Sequence, residues 1–165
     1  MNELNIHMLS KGMPDEFIRT TIPTSSIYRA VEEFFDEYFR GAVIMDGDRY
    51  TPGYIEISSD GLAFFFKLLF KAAFGESTVK INVKSENFIY EINAEWKKRR
   101  IISEKEIFEL KNAARLAGFE VAFDDGDEFY RVNLSVKLKI TKAITIYAKS
   151  LETLRTALTR VFFLI

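Results

Sequence analysis

The sequence contains no cysteine and a single histidine, His7. The first absence excludes a disulfide framework and thiol chemistry, and the second excludes any multi-histidine metal site. Proline, at three residues, and glycine, at eight, are both sparse, and no internal repeat, low-complexity segment or linker is visible. Neither sign of charge is in excess. A formal net charge of −1 gives no overall attraction to nucleic acid or to an acidic membrane. No apolar run reaches the ~18 residues that a membrane span needs, because Lys67 and Lys71 interrupt the longest one. The first residues, Met-Asn-Glu-Leu-Asn-Ile-His, lack a basic stretch followed by an apolar core, so no secretion signal is expected. Gly-x-Ser-x-Gly, P-loop and dinucleotide-type glycine patterns are absent. The acidic runs Asp124-Asp-Gly-Asp-Glu128 and Asp46-Gly-Asp48 lack the spacing and the terminal Glu of a calcium loop and are read as turns. These exclusions lead to expectations of a cytoplasmic protein with no metal, no cofactor and no catalytic residue.

What is present is a single globular domain spanning residues 1–165, with 48% apolar and 28% charged residues. Sixteen phenylalanines imply a large aromatic core. Residues 3–9 are expected to form a first strand, Gly12–Asp15 a loop, and Glu16–Thr21 a second extended piece. Pro23-Thr-Ser-Ser26 offers hydroxyls to cap a helix. Its apolar stripe is Ile27, Ala30, Val31, Phe34, Phe35 and Tyr38, and Gly41 can end it. Ala42–Met45 and Tyr54–Ser58 are short strands flanking a loop rich in turn residues. Ser58-Ser-Asp60 can cap the next helix and Gly75 can close it.

Thr78–Lys84 and Phe88–Trp96 alternate around a turn at Ser85-Glu-Asn87, with Phe88, Tyr90, Ile92, Ala94 and Trp96 inward. A basic loop, Lys97-Lys-Arg-Arg100, precedes a capping box, Ser103-Glu-Lys-Glu106, which opens a helix stopped by Gly118. Phe119–Asp124 and the cleanly alternating Phe129–Ile140 are strands. Ala143–Ala148 is expected to be a further short strand, and Ser150 to cap a last helix with the stripe Leu151, Leu154, Leu158, Val161 and Phe162. Hairpins between helices predict an α+β, two-layer sandwich, with helices on one face of a mixed, mostly antiparallel sheet.

Within Leu62–Phe74 the only polar residues are Lys67 and Lys71, four apart and therefore on one stripe of a helix that is otherwise apolar. They read either as snorkelling lysines on a solvent edge or as a cationic site for an anion or acidic partner, with Lys97, Lys98, Arg99 and Arg100 nearby. Trp96-Lys-Lys-Arg-Arg100 mixes an aromatic with charge, as nucleic-acid sites do, but the near-zero net charge argues against that use. The apolar end Val161-Phe-Phe-Leu-Ile165 either docks on the sheet or is buried against a second protomer or a partner; Leu158, Val161, Phe162 and Ile165 are the candidate interface.

The succession Leu62–Phe74, Thr78–Trp96, Glu104–Ala117, Gly118 and Phe119–Leu138 resembles the nucleotide-binding domain of histidine kinases and anti-sigma-factor kinases. The resemblance is one of layout, and residues 3–40 are similar to the start of an anti-sigma-factor kinase. It implies a histidine-kinase-like ATPase fold and, at the positions of Lys67 and Lys71, the Glu and Asn with which that superfamily handles the attacking water and magnesium. An ammonium has no lone pair for magnesium. The Asp-x-Gly-x-Gly expected after the hairpin is replaced by Ala94-Glu-Trp-Lys-Lys-Arg-Arg-Ile-Ile102, and the six residues between Trp96 and Ser103 leave no room for a glycine-rich lid. The resemblance thus implies a degenerate member: a non-catalytic, regulatory protein-interaction domain in a signalling or sporulation-type system, acting through a protein partner or a homodimer. The alternative is an enzyme or ligand-binding domain that takes an anion or nucleotide on the cationic face at Lys67 and Lys71.

Overall fold

Alternation along the strands builds the core. In the computed structural model, which describes residues 18–49, 52–73, 78–140 and 147–163 (with the side chains of 147–149 excepted), the elements run in the following order. β1 is Thr20–Pro23, α1 Thr24–Tyr38, β2 Val43–Gly47, β3 Tyr54–Ile57 and α2 Ser59–Ala73. β4 is Val79–Glu86, β5 Ile89–Lys97, α3 Glu104–Ala117, β6 Glu120–Asp125, β7 Phe129–Lys137 and α4 Tyr147–Phe162. The main sheet has the order β2-β4-β5-β7-β6, and β1 pairs with β3 in a separate antiparallel ribbon. All neighbours in the main sheet are antiparallel except β2 and β4. That parallel pair requires a crossover connection, and the chain between the two strands contains α2. The architecture is α+β, a layer of helices on one face of a mixed sheet.

The period of two separates the sheet's faces. Ile81, Val83, Tyr90, Ile92, Ala94, Trp96, Val132 and Leu134 are buried, while Lys80, Lys84 and Arg131 on the alternate face are exposed. The buried face supports α2, in which Phe64, Phe65 and Phe66 are all fully buried. Beyond them lies an aromatic cluster joining three helices. Phe34 lies 4.8 Å from Phe162, and Phe39 lies 4.4 Å from Phe70, centroid to centroid. Many of the phenylalanines are used here, and tilted or edge-on contacts of this kind stabilise beyond the area they bury. The Tyr90 phenol is fully buried with no hydrogen-bond partner among the described residues, and burial, with Asp48 and Tyr28 adding to it, pushes its pKa up.

Several local expectations need correction. Pro23 is the N-cap of α1 and supplies no side-chain cap, as it carries no hydroxyl; Thr24 Oγ1 instead donates to the Gly53 carbonyl at 3.5 Å. α1 ends at Tyr38, with Phe39 N donating to Phe35 O, before Gly41 is reached. The β4–β5 turn is centred on Asn87 and Phe88, at φ 53° and 61°, which lifts Phe88 out of the strand and leaves it 64% exposed. Ile140 lies beyond β7 and is likewise exposed. α4 begins at Tyr147, so Ser150 is inside it rather than at its cap, and Tyr147 and Ala148 are helical. The expected strand at residues 3–9, the loop at Gly12–Asp15, the stop at Gly75 and most of the strand expected at Ala143–Ala148 lie outside the described residues. Of Glu16–Thr21, Thr20 and Thr21 belong to β1.

Candidate functional site

The sequence places Lys67 and Lys71 on α2, and the fold decides what surrounds them. α2 is capped by Ser58, whose Oγ accepts from Gly61 N at 3.0 Å, and Asp60 in its first turn forms an ion pair with Arg160 of α4. One face of α2 lies against α3, the other against α4. The approach to α3 is close: a Cβ on Gly61 would stand 2.7 Å from Ala117 Cα.

Lys67 is half-buried, and its Nζ donates a 2.8 Å hydrogen bond to the Val161 carbonyl in the last turn of α4. Carbonyls there have no helical partner and carry partial negative charge, which suits an ammonium. Burial, and secondarily the like charge of Lys71, lower the pKa of Lys67. Lys71, one turn on, is exposed.

The basic loop divides by role. Arg100 Nη2 donates to the Ala72 carbonyl at 2.9 Å, and the guanidinium holds both oxygens of Glu106, at 3.1 and 2.9 Å. Glu106 is also the N3 residue of the capping box with Ser103. Arg100 therefore ties the last turn of α2 to the first turn of α3. The hydrogen bond from Arg100 holds the Glu106 carboxyl below its ordinary pKa. Lys98 pairs with Asp125 and sits 4.8 Å over the Tyr130 ring, while Lys97 and Arg99 are exposed. The six basic candidates thus do not form one patch. The loop reaches the C-terminal end of α2 through Arg100, and Lys67 points to α4.

The C-terminal helix docks on α1 and α2, with a smaller contact on β1, rather than on the main sheet. Leu158 and Val161 are buried, Phe162 is half-buried in the aromatic cluster, and Ile165 lies outside the described residues. An ion pair between Arg155 and Glu33 braces α4 against α1.

Among the described residues, two of the cavities stand out, and neither has Lys67 or Lys71 in its wall. One of about 570 Å³ lies between the start of α2 and α4, lined by Thr20, Ser59, Asp60, Thr156 and Arg160 among others. The other, of about 650 Å³, lies on the open face of the sheet around Lys80, Asn82, Asn93, Glu95, Arg131 and Asn133. Alternation along the strands shows that such positions face outward but not which of them stand side by side. Among the described residues no group of three or more His, Cys, Asp or Glu could hold a metal ion, and no helix is long and apolar enough to cross a membrane.

No protein-family model and no curated protein matches the sequence. Solved structures do match the fold. The histidine kinase AdeS of Acinetobacter baumannii superposes with a TM-score of 0.58 at 9% identity, over 82% of this chain and 75% of that one. The catalytic domain of the histidine kinase ThkA gives 0.55 at 13% identity, over 72% and 96%. The cytoplasmic segment of the histidine kinase QseC gives 0.53 at 12% identity, over 82% and 91%. The fold of this chain is that of histidine-kinase catalytic domains.

Proposed function

We propose that this chain is a non-catalytic protein-interaction domain built on a histidine-kinase-like ATPase fold. The observation that carries the reading is the pair Lys67 and Lys71. They stand where the resemblance expects the water-handling Glu and the magnesium-ligating Asn. Neither can ligate magnesium, and Lys67 is already engaged by the last turn of α4. The short β5–α3 connection supports it. Arg100 bridges Ala72 and Glu106 across the gap between α2 and α3, where the resemblance expects phosphate loops and a lid. A regulatory role through a protein partner follows from a fold kept without its chemistry. Calorimetry with a non-hydrolysable ATP analogue and magnesium tests the reading. No heat of binding is expected, and micromolar affinity abolished by Lys71→Ala would falsify it.

One observation favours the second reading, an anion on the cationic face: Lys67 and Lys71 stand four residues apart on one stripe of α2, where a bound anion would relieve the repulsion between their like charges. Titration with pyrophosphate, without magnesium, distinguishes it. Saturable shifts of the Lys67 and Lys71 side-chain resonances favour the anion site, and their absence removes it.

A further inference from the structure

The open face of the main sheet carries its side chains in three rows, fixed by strand register. The first row runs Lys80, Glu95, Arg131, Asp124 across β4, β5, β7 and β6. The second runs Asn82, Asn93, Asn133, Ala122 across the same strands. The third runs Lys84, Glu91, Ser135, Glu120. The charges of the first row alternate in sign, and the middle row is an amide ladder in which Asn133 Nδ2 donates to Asn93 Oδ1. Arg131 bridges Glu95 and Asp124 within the row. Lys80, at the other end, has no ion-pair partner among the described residues.

This pattern is self-complementary in one orientation only. Turning a second copy about an axis parallel to the strands, between β5 and β7, reverses the left-to-right order of each row. Lys80 then faces Asp124 of the second copy, Arg131 faces its Glu95, Lys84 faces its Glu120, and Asn93 faces its Asn133. Every charge of the first row meets its opposite, and the centre is neutral and capable of reciprocal amide hydrogen bonds. Turning the copy about an axis across the strands instead sets Lys80 against Lys84 and Glu95 against Glu91, which repels.

We infer that the open sheet face is the interface of a homodimer, formed by face-to-face stacking of two sheets about a two-fold axis parallel to the strands. Size permits a weak dimer. The four overlapping strands at about 4.8 Å spacing and about seven residues at about 3.3 Å make a plane of roughly 440 Å² per copy. Two such planes total about 900 Å² before surface roughness is added, which falls among the weak, transient interfaces below about 1,200 Å². Stacked sheets pack about 10 Å apart, the reach of paired lysine and carboxylate side chains. The inference does not depend on the absence of nucleotide binding, since a catalytic domain could stack in the same way, so the two readings fail independently.

Sedimentation equilibrium on the full chain at low ionic strength is expected to give a dimer that weakens as salt rises. Lys80→Glu and Asp124→Lys should each give monomer, and the double exchange should restore the dimer. In one chain these positions are three strand spacings apart, about 14 Å, so the restoration reports contact between copies and not repair within one. The cycle Lys84→Glu with Glu120→Lys repeats the test on the third row should either first-row variant fail to fold. A chain that is monomeric at every concentration, a dimer that no single variant weakens, or double exchanges no better than the single ones would each overturn the proposal.

Discussion

Lys67 Nζ donates to the Val161 carbonyl across 2.8 Å, tying the middle of α2 to the last turn of α4. Lys67→Met keeps the aliphatic stem and removes the donor. For a partly exposed charged hydrogen bond the expected loss is about 1 kcal/mol, with faster amide exchange confined to the last turns of α4. Lys71→Met, on the exposed side, should change stability by less than about 0.5 kcal/mol. Chemical denaturation of the two variants, together with hydrogen exchange, makes the comparison.

Arg100 and Glu106 give a pH dependence of definite sign. The folded pKa of Glu106 is depressed below its ordinary 4.5 by the hydrogen bond from Arg100. Its stabilisation is therefore complete above that ordinary value and is lost as pH falls through the lower folded value. The stability gap between wild type and Glu106→Gln should be constant at neutral pH and close progressively below pH 4.5. A gap that widens on acidification would show that the carboxylate is not stabilised in the fold.

Gly61→Ala separates intrinsic helix preference from packing. In an open helix the change would stabilise by up to about 1 kcal/mol. Here the new Cβ would meet Ala117 Cα at 2.7 Å, so a loss of about 1–3 kcal/mol is expected. Thermal unfolding decides the sign. An unchanged or raised midpoint would mean that α2 and α3 can move apart without cost.

At the β4–β5 turn, Phe88→Gly should stabilise the protein. Phe88 adopts φ 61° while 64% exposed, so its ring returns little burial for a backbone conformation that disfavours bulky residues. Asn-Gly is the preferred pair for such a hairpin. The expected gain is about 0.5–1 kcal/mol, seen as a higher denaturant midpoint at unchanged slope.

The sequence made some of these features legible and hid others for physical reasons. The capping box at Ser103 and Glu106, and Gly118 at φ 111°, were readable because each is a local motif whose partners lie within a few residues. Alternation placed Tyr90, Ile92, Ala94 and Trp96 inward, and layout alone indicated the fold. Phe88 reads as an inward strand residue because period two extends through a turn as easily as through a strand. Ser150 reads as a cap because hydroxyls are favoured at helix starts, while α4 begins three residues earlier. The basic run Lys97–Arg100 could not be divided by role, since Asp125, Tyr130, Ala72 and Glu106 are brought to it only by the fold. The rows on the open sheet face depend on register between strands and leave no mark in any single segment.

The aromatic contact between Phe34 of α1 and Phe162 of α4 joins the two ends of the described chain. It has a consequence for biosynthesis. While the ribosome is still adding residues before α4, the sheet, α1 and α2 can assemble, but Phe34, Phe35 and Phe70 lack their contacts with Phe162. The nascent domain therefore shows an aromatic flank until residues 147–162 emerge and α4 docks on it. A stalled or prematurely ended chain would present that flank to chaperones and proteases.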